Sequence, residues 1–213
     1  LAVLKDALFR GSGGADLLLP RADLGALLPD AAIRWLLQRG ATVRIGTRVR
    51  AISTEAGQWQ VDGEAFDRVV LACAPWDAAR LVRASGLPAA PWCETTEALR
   101  FEAIATIYVR GATPHAEPML ALRSDPATAP AQFAFDRGQL GGLQGVLAMV
   151  VSANEASREV LEEQVIAQAA AQLGQSNLQL VQTVVEKRAT FACTPGLSRP
   201  PSAIAPGLDA WGL

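Results

Sequence analysis

The sequence predicts a mixed α/β (α+β) chain with two sheets, and three observations carry that expectation. The hydrophobic period changes at Gly40 from helical spacing to strand-like alternation. Val69-Val70-Leu71-Ala72-Cys73-Ala74 is a continuous apolar run stopped by Pro75, as in a strand buried on both faces. Four further strand-like segments then precede one long amphipathic helix. Half of the 213 residues are hydrophobic and 19% are charged, a balance that builds a core rather than a solvated coil.

Taken in order, Ala2 to Phe9 has the spacing of a short helix ended by Gly11-Ser12-Gly13-Gly14. Asp23 is placed to cap a helix whose apolar positions are Leu27, Leu28, Ala31, Ala32, Trp35 and Leu36, with Gly40 as its terminator. Thr42 to Ile45, Val49 to Ile52 and Trp59 to Val61 alternate like strands between Gly46, Gly57 and Gly63. Asp77 to Ala84 is helical, and Pro88 to Pro91 reads as a linker. Beyond it come a helix over 94–100 and strands over 104–109, 119–122, 132–135 and 146–152. Asn154 or Ser157 then caps a helix running to about Leu173, with Val160, Leu161, Val165, Ala169 and Leu173 as its stripe. Leu180 to Ala192 is the last long strand, Pro195 to Pro206 is loop, and residues 207–213 enter another strand.

Composition excludes several classes of function. Nineteen basic against 21 acidic residues, without a basic run, give no footprint for nucleic acid. Cys73, Cys93 and Cys193 form no CxxC pair and His115 is the only histidine, so no metal site is expected. His115, beside Pro114, reads as solvated loop and not as a catalytic base. No apolar run approaches the roughly 18 residues of a membrane span. The chain opens inside an apolar pattern, without an initiator methionine, and stops on an apparent strand. Both ends therefore read as cuts.

Neither glycine-rich stretch is a phosphate cradle. In the first, Asp16 stands where G-x-G-x-x-G needs its third glycine. The second, 138–145, lies between two strands and reads as a hairpin loop.

The block from Trp35 to Pro75 is more informative. A helix ends in Arg39-Gly40-Ala41, then come Val43, Val49 and Ile52 at fixed spacing, a short hairpin, and Phe66-Asp67-Arg68-Val69-Val70-Leu71-Ala72-Cys73-Ala74-Pro75. This resembles the middle of the FAD-binding domain in the flavin-containing amine oxidase and phytoene desaturase superfamily. The resemblance implies that Val49 meets the adenine through its main chain, and that Ala72, Cys73, Ala74, Pro75 and Trp76 border the adenosine half of FAD. Residues 16–24, 186–196 and 199–201 are similar to the squalene-associated FAD-dependent desaturase branch, also described as hydroxysqualene dehydroxylase.

That resemblance implies a partial FAD-binding domain over 1–90, a substrate domain over 91–192 whose mixed sheet is covered by helices, and a return segment over 193–213. It further implies an oxidoreductase converting hydroxysqualene to squalene in hopanoid and squalene biosynthesis, cytoplasmic, with peripheral contact at the inner membrane face. The family's G-x-G-x-x-G unit and its C-terminal A-G-D segment are absent, so an incomplete flavin site and an inactive fragment are expected. A carotenoid desaturase, an amine oxidase and a non-catalytic apolar-ligand module are the alternatives.

A C30 isoprenoid calls for a long apolar cavity with few polar anchors. Tyr108, Phe133, Phe135 and Met149 are the expected substrate contacts, Tyr108 supplying the one phenolic hydroxyl. Alternation places Lys187 on the opposite strand face from Glu186 and Arg188. No catalytic residue is assigned.

Overall fold

The computed structural model describes residues 2–9 and 11–211. In chain order its helices α1 (Ala2–Phe9), α2 (Leu24–Leu27) and α3 (Pro29–Gln38) come first. Strands β1 (Ile52–Glu55), β2 (Gln58–Val61), β3 (Glu64–Phe66) and β4 (Val69–Leu71) follow, then helices α4 (Pro75–Ala84) and α5 (Ala90–Glu97). Next come β5 (Phe101–Arg110), β6 (Met119–Ala121), β7 (Phe133–Asp136) and β8 (Val146–Ser152). Helix α6 (Arg158–Leu173) precedes β9 (Gln179–Phe191), β10 (Ala203–Ala205) and β11 (Leu208–Ala210). The fold is mixed α/β as expected, with three sheets among the described residues instead of two.

Packing divides the chain into two units, each discontinuous in sequence. One comprises Leu1–Val43 and Ile104–Val185, the other Arg44–Ala103 and Glu186–Leu213. The expected linker at Pro88 to Pro91 is no linker. Ala89 and Trp92 are buried there, and Pro91 sits in the first turn of α5, where its missing N–H costs nothing.

In the unit of Arg44–Ala103 and Glu186–Leu213, β1, β2 and β3 form an antiparallel meander. Ala56-Gly57 and Asp62-Gly63 make its two-residue turns, all four with positive φ, the twist that hairpin strands require. Strand β4 pairs in parallel with β11, which pairs antiparallel with β10. The core gathers Ile52, Trp59, Leu71, Val82, Trp92 and Leu208 under α4 and α5. Two tryptophans tie the late segment 201–206 to it, Trp59 Nε1 donating to the Pro206 carbonyl at 3.1 Å and Trp92 Nε1 to that of Pro201 at 2.9 Å. Gly207 must stay glycine, since its φ is +77° and a Cβ would stand 2.9 Å from Trp59 Nε1.

Two expectations are corrected here. Thr42 to Ile45 and Val49 to Ala51 are not strands, because alternation alone makes no ladder and no neighbouring strand among the described residues pairs with them. Strand β4 is not buried on both faces. It lies at the edge of its sheet, Leu71 turned to the core and Val70 59% exposed.

In the other unit five strands run β6-β7-β8-β5-β9. Ile107, Val109, Leu147, Met149 and Val151 form one face of this sheet and pack against Leu161, Val165 and Ala169 of α6. Ser157, not Asn154, caps α6 by accepting the Val160 N–H, and Gly174 closes it at φ +62°. The α6 stripe differs from expectation at one end. Val160 is 42% exposed, whereas Gln168 is buried.

The helix expected over 23–39 is two helices. Asp23 caps α2 through the N–H groups of Gly25 and Ala26, but Pro29 lacks the N–H needed to continue and opens α3 instead. The end of α3 is as expected. Gly40 N–H bonds to the Leu37 carbonyl and Ala41 N–H to that of Leu36, with Gly40 at φ +78°. No helix among the described residues is long and apolar enough to cross a membrane.

Candidate functional site

The cleft nearest the expected cofactor residues is built wholly within the unit of the β1–β3 meander. It has a volume of about 530 Å³, within the ~300–1,000 Å³ usual for small-molecule sites. Val49, Val70, Ala72 and Cys73 form its apolar wall, and Arg48 and Arg80 stand at its polar side. Asp77, on the first turn of α4, holds both arginines, at 3.0 Å from Arg48 and 3.4 Å from Arg80.

Local bonding explains why Val49 is presented to the cleft. The Asp62 carboxylate accepts the N–H groups of Arg50 and Ala51, and Asp62 N–H returns a bond to the Ala51 carbonyl. The main chain is thus pinned just after Val49, whose own N–H and C=O meet no partner among the described residues. A half-buried donor and acceptor left open on an apolar wall suit the edge of a planar heterocycle. The residues present therefore fit the adenosine end of a flavin dinucleotide.

The expected cofactor contacts separate into two groups. Val49, Ala72 and Cys73 line this cleft. Ala74 instead caps α4, its carbonyl accepting the N–H groups of Asp77 and Ala78, and Pro75 is the first residue of that helix. Trp76 lines a different cleft, edge-on to Phe101 at 5.4 Å between ring centroids and under the guanidinium of Arg188 at 4.4 Å.

Two of the thiols sit where the thiolate is disfavoured. The cleft wall desolvates the Cys73 sulfur and the Asp77 carboxylate repels a thiolate, so its pKa is raised, although the residue stands at the open mouth. Burial raises Cys93 likewise. Among the described residues no three His, Cys, Asp or Glu side chains gather as a metal site.

The substrate residues fall on two sides of the five-stranded sheet. Register aligns Tyr108, Ala148, Phe135 and Met119 across four strands, and Val150, Phe133 and Ala121 in the next row. Paired residues share a face, so Tyr108, Phe133 and Phe135 lie together opposite α6, the two phenylalanine rings 6.5 Å apart. Met149 corrects the expectation. It is one residue out of phase, fully buried beneath α6, and cannot touch a ligand on the other face.

His115 also differs from its reading as solvated loop. It is half-buried, its Nε2 lies 3.1 Å from Gln175 Nε2, and its carbonyl accepts from Gln139.

A family model described as flavin containing amine oxidoreductase matches residues 7–202. The chain belongs to the flavin-containing amine oxidoreductase family. Solved structures agree in fold. An oxidoreductase from Methanosarcina mazei is 18% identical with a TM-score of 0.58, covering 86% of this chain and 47% of its own. A Pyrococcus furiosus protein is 9% identical with a TM-score of 0.61, covering 86% and 44%. A redesigned putrescine oxidase double mutant is 18% identical with a TM-score of 0.53, covering 86% and 46%. This family member thus spans less than half the length of each. No curated protein matches it in sequence.

Sequence reasoning missed the Arg48–Asp77–Arg80 cluster and the Asp62 clamp on the chain after Val49. The Asp62-Gly63 pair was a readable turn signal. The cluster had none, since it joins residues 29 apart in sequence.

Proposed function

We propose that this chain is the adenosine-side and substrate-side part of an FAD-dependent oxidoreductase that converts hydroxysqualene to squalene in hopanoid and squalene biosynthesis. The observation that carries the isoprenoid reading is the sheet face of Tyr108, Met119, Phe133, Phe135 and Val150, mostly apolar with the Tyr108 phenol and the Thr106 hydroxyl on it. The unit holding the Val49 cleft serves the flavin, and the unit holding this sheet and α6 serves the substrate.

Each part has a distinct task. Val49 reads the adenine edge through main-chain N–H and C=O, while Arg48 and Arg80, fixed by Asp77, favour anionic groups at the mouth of the cleft. Bound flavin supplies hydride transfer. The sheet face excludes water from an isoprenoid chain, and the Tyr108 hydroxyl orients an oxygen substituent. Peripheral contact with the inner membrane face would deliver so apolar a substrate.

The test uses the protein expressed with its flanking reading frame. Anaerobic incubation with dithionite-reduced FAD and hydroxysqualene should yield squalene by gas chromatography and mass spectrometry. A preparation without flavin absorbance after reconstitution would overturn the flavoenzyme reading and favour an apolar-ligand module. A flavin-loaded enzyme that oxidises amines and ignores hydroxysqualene would overturn the isoprenoid assignment alone.

A further inference from the structure

The second cleft, around Trp76, holds an arrangement that the flavin reading does not use. It has a volume of about 560 Å³ and shares no lining residue with the Val49 cleft. Its charged lining is Arg100, Lys187, Arg188 and Glu97.

The charges do not cancel. Glu97 is already bound on both oxygens by Arg83, at 3.1 and 2.6 Å, and that guanidinium holds its pKa below the usual carboxylate range. Arg100, Lys187 and Arg188 meet no carboxylate within salt-bridge distance among the described residues. The neighbouring Glu186 carboxylate accepts the main-chain N–H of Arg188 at 3.0 Å, not its guanidinium. Arg100 and Arg188 therefore line one cleft with their donors unspent, and Lys187, adjacent on the strand, adds a third positive charge at its edge.

The cleft is also ordered before any ligand arrives. The Arg188 guanidinium lies over the Trp76 ring, which Phe101 fixes edge-on. The Arg188 guanidinium donates to no acceptor among the described residues, which leaves its N–H fork for the oxygens that such a fork meets in pairs. A carboxylate would use one such fork. Three cations beside an aromatic floor match two or more negative charges carried on an organic body.

We propose that this cleft binds the phosphate or diphosphate group of a phosphate ester, separate from the flavin. Inorganic pyrophosphate is the probe, titrated calorimetrically into the intact flavin-free protein, with phosphate and acetate alongside. Pyrophosphate should bind more tightly than phosphate, and acetate should give no heat. Arg188→Gln and Arg100→Gln should each weaken pyrophosphate by about tenfold, with circular dichroism unchanged. If either variant fails to fold, Lys187→Gln carries the same test from an exposed side chain.

Equal binding of acetate, or pyrophosphate affinity unchanged in all folded variants, overturns the proposal. Displacement of pyrophosphate by FAD also overturns it, because the anion would then be the flavin's own. Since the titration needs neither flavin nor turnover, its failure leaves the hydroxysqualene reading standing, and the reverse.

Discussion

The Asp62 carboxylate accepts the Ala51 N–H at 2.8 Å across the β1–β2 hairpin. This one contact, with its companion to Arg50, fixes the backbone on which Val49 stands. Asp62→Ala should cost about 1–2 kcal/mol, spanning the bottom of the ~1.5–3 kcal/mol range for hydrogen bonds to a charged group and values just below it, because the site is exposed. It should also weaken adenine-nucleotide binding more than stability loss alone explains. Urea denaturation and titration with AMP measure the two effects, and an unchanged AMP affinity would separate Asp62 from the cleft.

The two faces of the five-stranded sheet make opposite predictions. Met149→Ala opens a cavity under α6 and should destabilise the protein by about 2–5 kcal/mol, with little change in ligand affinity once refolded. Phe133→Ala removes a ring 37% exposed on the other face, so its stability cost should be well below that of Met149→Ala. Its effect should appear in apolar-ligand binding instead. Thermal melts and a hydrophobic-dye titration of both variants check the assignment, and a larger melt shift for Phe133→Ala would reverse it.

How much of this was legible in the sequence depended on whether the signal was local. Helix α6 was readable because Ser157, Gly174 and its stripe all lie within one segment. Gly40 stopped α3 for the same reason. Pro29 was equally local, yet the apolar spacing on either side of it masked the break. Val43 to Ile45 misled because alternation reports a pleat and not a partner. The candidate site was legible at Val49, Ala72 and Cys73 only through a family pattern. Trp76 could not be placed, since its partners Phe101 and Arg188 are 25 and 112 positions away.

Asp136 predicts a pH dependence. Burial pushes its carboxyl up, the largest effect, but the Gln139 amide and the N–H groups of Gln139, His115 and Gly138 more than reverse it, and its pKa is lowered. A lowered folded-state value contributes stability above the unfolded value of about 3.9, and that contribution is lost as pH falls through the folded value. Asp136→Asn turns an acceptor toward the Gln139 Nε2 donor into a second donor, and should cost about 1–3 kcal/mol at neutral pH. The gap between the two proteins should narrow below about pH 4. Denaturant midpoints across pH 3–7 test this, and a gap that widens in acid would contradict it.

Gln168 is the buried residue that the apolar stripe of α6 did not announce. Its Oε1 accepts the Ala131 N–H at 2.9 Å, and its Nε2 donates to the carbonyls of Ala131 and Arg123 at 2.9 and 3.1 Å. Gln164 and Gln172, one turn away on each side, reach the carbonyls of Ala127 and Arg123, so three glutamines of one helix clamp the segment 123–131. Leucine at position 168 keeps the volume but leaves the buried Ala131 N–H and C=O without partners. The cost of an unsatisfied buried group is about 1–3 kcal/mol, so Gln168→Leu should destabilise by more than its gain in hydrophobicity returns. Gln172→Leu, at a more exposed position, should cost less. Amide hydrogen exchange at Ala131 is the direct readout. Protection there should fall in Gln168→Leu and persist in Gln172→Leu, and equal protection in both would mean that the segment is held by other contacts.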